Sequence, residues 1–231
     1  MPKYLFTFEK GESVRWLGHL DILRTFERAI RRAGLPVAFT NGFNPRERLA
    51  FASALSTGIT GGAERASLEL TDPLAPEDLI QRINLALPPG IRVLSSEMIP
   101  DVGFRDALNA FDRAEYTVVC GCAPDTVLTQ VEEAVELLLA SPQIEITRTK
   151  DGRSKVVNIR PSLYYLTVLP ESAESLGNSR LTLDMIVAQG EGGTAKPAEV
   201  VGALAASVPG LTSRRAHRVR LLSAEEMPAA K

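Results

Sequence analysis

The chain has 231 residues, 45% of them hydrophobic, and a mean hydropathy of +0.01, values typical of a globular protein that buries a core. No run approaches the roughly 18 consecutive apolar residues of a membrane-spanning helix, and the first residues lack the apolar segment of a signal peptide, so we predict a cytoplasmic protein without a membrane partner. The formal net charge of −2 does not by itself indicate a polyanionic ligand.

The first half of the chain predicts the element order βαββαβ. Residues 3–9 alternate in hydrophobicity, as a half-buried strand does, and a helix follows from Gly18 to the terminating glycine Gly34. We expect this helix to bury one stripe of side chains, made of Leu20, Leu23, Phe26, Ile30 and Ala33. The other elements are extended segments at 37–40, 49–55 and 64–70, a helix at 76–87 and a strand at 91–99.

The second half repeats this order. Strands are predicted at 115–122, 163–169, 180–188 and 213–222, helices at 124–140 and 197–207, and a basic hairpin that turns at Asp151-Gly152. We therefore predict an α+β fold of two tandem ferredoxin-like (βαββαβ) modules. The modules are residues 1–99 and 115–223, with a connector at 100–114 and a tail at 224–231.

The two cysteines, Cys120 and Cys122, lie two residues apart in a predicted strand. Cysteines so placed cannot form a useful disulfide, and no matching pair of cysteines or histidines completes a zinc site. We therefore predict free thiols, no metal site and no cofactor.

Three stretches concentrate positive charge, and residues 15–48, 148–160 and 214–220 each carry a net charge of +4. Such density suits the successive phosphates of a nucleic acid, and the alternative is three solvated edges that face different ways. In the last strand, alternation places the arginines at 214, 218 and 220 on one face. We predict RNA contacts from these stretches, by Arg24, Arg28, Arg31, Arg32, Arg46, Arg48, Arg153, Lys155, Arg160, Arg214, Arg218 and Arg220.

His19, in the first turn of the first predicted helix, is the candidate catalytic residue. The positive end of the helix dipole disfavours an imidazolium there, and a neutral imidazole beside arginines can act as general base for attack of an RNA 2′-hydroxyl on its own phosphate. The alternative is a histidine that caps or packs at the helix end. His217, the other histidine, is expected at a surface or strand edge.

The segment from Gly18 to Pro36, followed by Asn41-Gly-Phe-Asn-Pro45, closely resembles the radical-SAM-linked protein family, a domain of unknown function. The resemblance is collinear from residue 3 to about residue 222. It implies an RNA-linked role beside a radical-SAM protein or an RNase E/G-type ribonuclease. The Cys-x-x-x-Cys-x-x-Cys motif of radical-SAM enzymes is absent, so the resemblance implies an accessory protein rather than the radical enzyme.

The leading hypothesis is therefore a non-catalytic RNA-binding accessory protein whose target is a structured RNA, rRNA or tRNA. A second hypothesis is a metal-independent endoribonuclease that uses His19, because the CRISPR repeat-processing endoribonucleases also pair two ferredoxin-like modules and often use an early histidine. A third is a protein–protein interaction module that binds no RNA.

Overall fold

The computed structural model describes residues 1–100, 106–170, 179–190 and 193–226 and is a mixed α+β protein. The chain divides into two compact units. The first contains Met1–Phe111 and Arg218–Lys231, and the second contains Asp112–His217. The predicted connector includes residues 101–105 and the predicted tail includes residues 227–231, and both of these segments lie outside the described residues.

The first unit is built on antiparallel strands in the order β4-β1-β3, with the short strand β2 also paired to β3. Its elements are β1 (Lys3–Lys10), α1 (His19–Arg32), β2 (Leu49–Phe51), β3 (Thr60–Glu69), α2 (Pro76–Ala86), β4 (Ile91–Ile99) and the short helix α3 (Asp106–Asn109). Strand β2 is shorter than predicted, and the predicted extended segment at 37–40 forms only isolated bridges, at Val37 and Phe39.

The core of the first unit follows from alternation in β1. Tyr4, Phe6 and Phe8 all point to one side of the sheet, where they are buried against Phe26 and Ile30 of α1. The Tyr4 hydroxyl is satisfied there, because it donates to the carbonyl oxygen of Leu74 at 2.7 Å. The sequence therefore placed the aromatic face of β1 correctly.

The buried stripe of α1 differs from our expectation. Leu20 was expected inside but is 61% exposed, whereas Ile22 and Ala29 are buried beside Phe26 and Ile30. Apolar residues occur on more than one face of this helix. Periodicity alone therefore did not determine which face packs against the sheet.

The second unit has antiparallel strands in the order β10-β5-β9-β8 and a separate two-stranded hairpin of β6 and β7. Its elements are β5 (Arg113–Gly121), α4 (Leu128–Ala140), β6 (Glu145–Lys150), β7 (Arg153–Asn158), β8 (Leu163–Val168), β9 (Arg180–Ala188), α5 (Pro197–Leu204) and β10 (Thr212–Leu222). The predicted turn of the hairpin is confirmed, and Asp151 and Gly152 both have positive φ, of 51° and 75°, as a two-residue hairpin turn requires. In β10, residues up to His217 belong to the second unit and residues from Arg218 onward belong to the first.

The two cysteines are free and buried, as predicted. Burial, with a smaller contribution from Cys122, raises the pKa of Cys120 to about 12. The thiolate is the reactive form of cysteine, so this thiol has almost none of it near neutral pH.

We expect a thiol-reactive dye to leave Cys120 and Cys122 of the native protein unmodified at pH 8 over several minutes. Both should react at once in denaturant, when burial is lost. Rapid modification of the native protein, followed by mass spectrometry that places the label on either residue, would contradict the burial seen here.

Within the described residues, none of the helices has the length and apolar character that a membrane crossing requires.

Candidate nucleic-acid interface

Helix α1 presents an exposed cationic edge. Its first turn is held by Asp21, whose carboxylate accepts a hydrogen bond from the backbone N–H of Gly18 at 3.1 Å, and Gly34 ends it with φ of +60°. Arg24 and Arg28 lie one turn apart and both are exposed. Arg24 keeps 63% of its side chain exposed and lies 4.0 Å from Asp21, a contact that contributes little at a solvated surface.

Two other arginines of α1 bind partners within the protein. Arg31 donates from Nε to Oε1 of the buried Glu47 at 2.6 Å, and this hydrogen bond raises the pKa of Arg31. Arg32 donates to the carbonyl oxygen of Ala86 at 2.5 Å. Both were predicted to bind RNA; both remain exposed, and their hydrogen bonds attach α1 to the segment that follows it and to α2.

The loop formed by residues 40–46 is followed directly by Glu47, whose ion pair with Arg31 anchors this end of the loop to α1. Its ends are joined by two hydrogen bonds, from Thr40 N–H to the Arg46 carbonyl at 2.8 Å and from Arg46 N–H to the Thr40 hydroxyl at 3.0 Å. At its tip the Phe43 ring is fully exposed, and the Arg46 side chain is also exposed. We call Arg24, Arg28, Phe43 and Arg46 the arginine–aromatic surface.

Arg218 does not lie where its strand position predicted. Its side chain is completely buried, donates from Nε to Glu64 at 2.7 Å, and makes a second bond from Nη2 to the other carboxylate oxygen. The Ser53 hydroxyl accepts a further bond from Nη1 at 3.2 Å. Arg218 is therefore unavailable to a phosphate, whereas Arg214 and Arg220 of the same strand are exposed.

The buried Lys10 belongs to the same cluster as Arg218 and Glu64. Its ammonium donates to the Arg15 carbonyl oxygen at 2.9 Å. Burial lowers the pKa of Lys10, Glu64 opposes this change, and Arg218 adds to it.

Arg48 and Arg160 also have partners inside the fold. Arg48 donates to the buried carboxylate of Glu69 at 2.8 Å. Arg160 donates to the carbonyl oxygens of Leu139, at 2.7 and 3.0 Å, and of Leu163, at 2.8 Å, and so fastens the end of α4 to the start of β8. Both residues were expected to contact RNA; both have partners inside the fold and remain partly exposed.

The hairpin of the second unit carries further exposed cations. Arg148, in the middle of β6, binds both carboxylate oxygens of Glu199 in α5, at 2.7 and 2.8 Å. Burial raises the pKa of Glu199, but the hydrogen bonds from Arg148 and from the Lys196 backbone outweigh burial, and the net shift is downward. Beyond this pair, Lys150, Arg153 and Lys155 are exposed.

His19 is half-buried and packs edge-to-face on Phe51, with 5.7 Å between ring centroids. This is the packing alternative considered for it above. His217 belongs to the second unit.

A family model described as an uncharacterized protein conserved in bacteria (DUF2344) matches residues 3–197. The chain belongs to the DUF2344 family. The resemblance noted from the sequence to a domain of unknown function agrees with this membership. No curated protein matches the chain.

Several solved structures share the fold of this DUF2344 protein. They include a crystal structure of a Cbf5–Nop10–Gar1 complex (TM-score 0.53), an H/ACA RNP bound to a substrate RNA containing 2′-deoxyuridine (0.51) and an archaeal box H/ACA sRNP Nop10–Cbf5 complex (0.50), each 10% identical to it. The matches cover 93–94% of the DUF2344 chain but only 46–48% of the other chains, so it spans about half their length. At this identity the likeness is one of fold.

The structure brings together only part of the predicted RNA-binding set. In the first unit, Arg24, Arg28 and Arg46 remain as exposed cations on α1 and the loop braced against it. Sequence reasoning missed Phe43, although an aromatic between the turn residues Gly42 and Asn44 was a usable signal, because a ring at a turn has little chance of burial. Among the described residues of the DUF2344 chain, no cluster of His, Cys, Asp and Glu is large enough to hold a metal ion.

Proposed function

We propose that this DUF2344 protein binds RNA, and that its arginine–aromatic surface holds unpaired nucleotides of a structured RNA such as rRNA or tRNA. The observation that carries the proposal is the fully exposed ring of Phe43 on a loop whose ends are hydrogen-bonded and whose base is anchored to α1. An aromatic ring held in water beside arginines suits nucleic acid, because bases stack on the ring while guanidinium groups bind phosphates.

The members of the surface are connected through α1 and the loop. Arg28 lies one helical turn from Arg31, which binds Glu47 at the end of the loop. Arg24 continues the cationic edge one turn further along α1. Arg46 places a cation on the loop itself, three residues from Phe43.

The hairpin of the second unit supports the same function. Lys150 lies directly opposite Arg153 in the strand register, and Lys155 lies opposite Arg148. Glu199 offsets the charge of Arg148, but Lys150 and Arg153 are like charges placed opposite each other, which destabilises a hairpin. Their presence favours a polyanionic ligand that offsets the repulsion. We include Arg153 and Lys155, with Arg214 and Arg220, as further RNA contacts.

We further propose that each unit is a ferredoxin-like module. In the second unit the order β10-β5-β9-β8 places the fourth, first, third and second module strands side by side, and in the first unit β4, β1, β3 and β2 pair in the same sequence. One solved structure of similar fold is an H/ACA RNP bound to a substrate RNA, which supports an RNA-related use of the fold here. The module boundaries expected at residues 99 and 115 are part of this proposal.

The experiment that tests RNA binding is a salt titration of the affinity for single-stranded RNA, because binding through phosphates weakens steeply as salt rises. We propose no catalytic role for His19, because its ring packs against Phe51. RNA cleavage in EDTA that is abolished by His19→Ala would contradict this and favour the endoribonuclease alternative.

A second candidate function is protein binding, with a radical-SAM enzyme or an RNase E/G-type ribonuclease as the proposed partner. It is favoured by α4, where Leu137 is 70% exposed beside a cleft of about 440 Å³ that is also lined by Asp125 and Glu133. An exposed leucine with acidic neighbours suits a basic, partly apolar protein segment.

We expect such a partner, co-expressed with the protein, to co-purify after nuclease treatment and to be lost with Leu137→Glu. Ala140→Glu, an equal charge change at an exposed position of the same helix, is the matched control. Co-purification that nuclease abolishes would show that RNA bridges the two proteins and would count against direct binding.

A further inference from the structure

Strand β2 has an edge that no other described strand covers. Of the described strands, β2 pairs with β3 only. The ladder bonds show which backbone groups face β3: Glu69 N–H donates to the Arg48 carbonyl at 3.0 Å, and Ala52 N–H donates to the Arg65 carbonyl at 3.0 Å. Since backbone direction alternates along a strand, the groups of Leu49 and Phe51 point to the opposite edge.

This edge lies in a cleft of about 330 Å³ within the first unit. Residues 49–52 line its length, His19 and Leu23 of α1 form one wall, and Leu108 and Asn109 of α3 form the other. The volume is at the small end of the range found for ligand sites, and it admits one planar ring system rather than a longer ligand.

The free backbone groups are few, and this limits what can bind. Leu49 N–H already donates to the Glu47 carbonyl at 2.8 Å. Among the described residues, no backbone group pairs with the outward-facing carbonyl of Leu49 or the N–H and carbonyl of Phe51. An extended peptide that adds to a sheet edge needs a longer ladder than this. A nucleobase needs one donor and one acceptor side by side, and each of the four bases presents such a pair on its Watson–Crick edge.

The surroundings favour a nucleotide over an uncharged ring. Leu23 lines the cleft and the next residue of α1, Arg24, is exposed, so the cleft borders the cationic edge of this helix, where the phosphate of a nucleotide finds a cation. The aromatic pair of Phe51 and His19 supplies an apolar ring surface inside the cleft. Base recognition by a strand edge and a ring is therefore coupled to the arginine–aromatic surface.

We propose that this cleft takes one unstacked base of the bound RNA, read by the backbone N–H and carbonyl of Phe51. The inference rests on the proposed RNA-binding function and adds to it a site for a base, where the arginines alone would bind only the backbone.

The test compares two 12-nucleotide strands of equal charge, a single-stranded RNA and the same ribose–phosphate backbone without bases. Ala52→Phe fills the cleft without removing a charge, Ala52→Leu fills it partly, and Ala140→Phe adds the same ring at an exposed position of α4. We expect Ala52→Phe to weaken binding of the RNA about tenfold, Ala52→Leu to weaken it less, and Ala140→Phe to have no effect. Affinity for the abasic strand should be unchanged in all three.

Thermal melting of each variant shows whether it folds, and Ala52→Leu keeps the test decisive if the larger side chain prevents folding. Unchanged affinity of the Ala52 variants for the RNA would overturn the inference and would favour a peptide as the ligand of this edge. Equal binding of RNA and abasic strand by the wild type would overturn both the base site and the stacking role of Phe43, and would leave only phosphate binding by the arginines. Failure of the wild type to bind either strand would overturn the proposed function as well.

Discussion

Replacing Arg218 with methionine is expected to lower the free energy of unfolding of the first unit by about 3–5 kcal/mol. The guanidinium is completely buried and binds both oxygens of Glu64, which is itself buried. Methionine fills similar space but leaves that carboxylate without its main partner in a region of low dielectric. Lys10 stays in the cluster as a partial counter-charge, so the loss should fall toward the lower end of this range.

Urea denaturation followed by the fluorescence of Trp16 measures this loss. Trp16 is the chain's single tryptophan and lies in the first unit, so its signal reports that unit. Arg92→Met, at an exposed position of β4, is the control and should change stability by less than about 0.5 kcal/mol.

The double variant Arg218→Met/Glu64→Gln should recover a substantial part of the lost free energy of unfolding. It removes the buried negative charge that Arg218→Met leaves without a partner. Equal stability of Arg218→Met and the wild type would show that the ion pair contributes nothing, and would return Arg218 to the set of candidate RNA contacts.

The second large effect is expected in RNA binding. Replacing Arg24, Arg28 and Arg46 together with glutamine should reduce the slope of log affinity against log salt by about 2, since each phosphate contact to a single strand contributes roughly 0.7. The ratio of wild-type to variant affinity should consequently be about sixteenfold larger at 50 mM salt than at 200 mM. Filter binding over this salt range provides the measurement.

The matched control replaces Arg92, Arg180 and Lys196 with glutamine. It removes the same three charges from exposed positions outside the arginine–aromatic surface. Phe43→Ala should weaken binding about tenfold at every salt concentration, because stacking does not release counterions. A control variant that loses as much of the slope as the test variant would show that net charge, and not this surface, governs binding.

Each basic stretch identified in the sequence divides into anchors and exposed cations. Arg31 pairs with Glu47, 16 residues away, Arg148 with Glu199, 51 away, and Arg218 with Glu64, 154 away. Local charge density in the sequence counts all these arginines alike. Glu47 lies within the first stretch, and Arg31 keeps 65% of its side chain exposed beside it. Glu199 and Glu64 lie outside the stretches that contain Arg148 and Arg218, so the charge of either stretch does not reveal these two ion pairs.

The base cleft was invisible in the sequence for a related reason. Its walls come from α1, β2 and α3, which are separated in the sequence and meet only in the folded unit. Periodicity predicted extension through residue 55, whereas β2 ends after Phe51. Beyond that end, the Ser53 hydroxyl and the Ala54 carbonyl accept hydrogen bonds from Arg218, which is distant in the chain.

By itself the sequence determined the mixed α+β class, the aromatic face of β1, the end of α1 at Gly34 and the hairpin turn at Asp151-Gly152. These depend on alternation and on backbone conformations that act over a few residues. Only the tertiary structure decided which arginines reach solvent, that Phe43 stands exposed on a braced loop, and that His19 packs on Phe51. A charged side chain becomes an anchor when a buried carboxylate or carbonyl lies within hydrogen-bonding distance, and the fold alone creates that proximity.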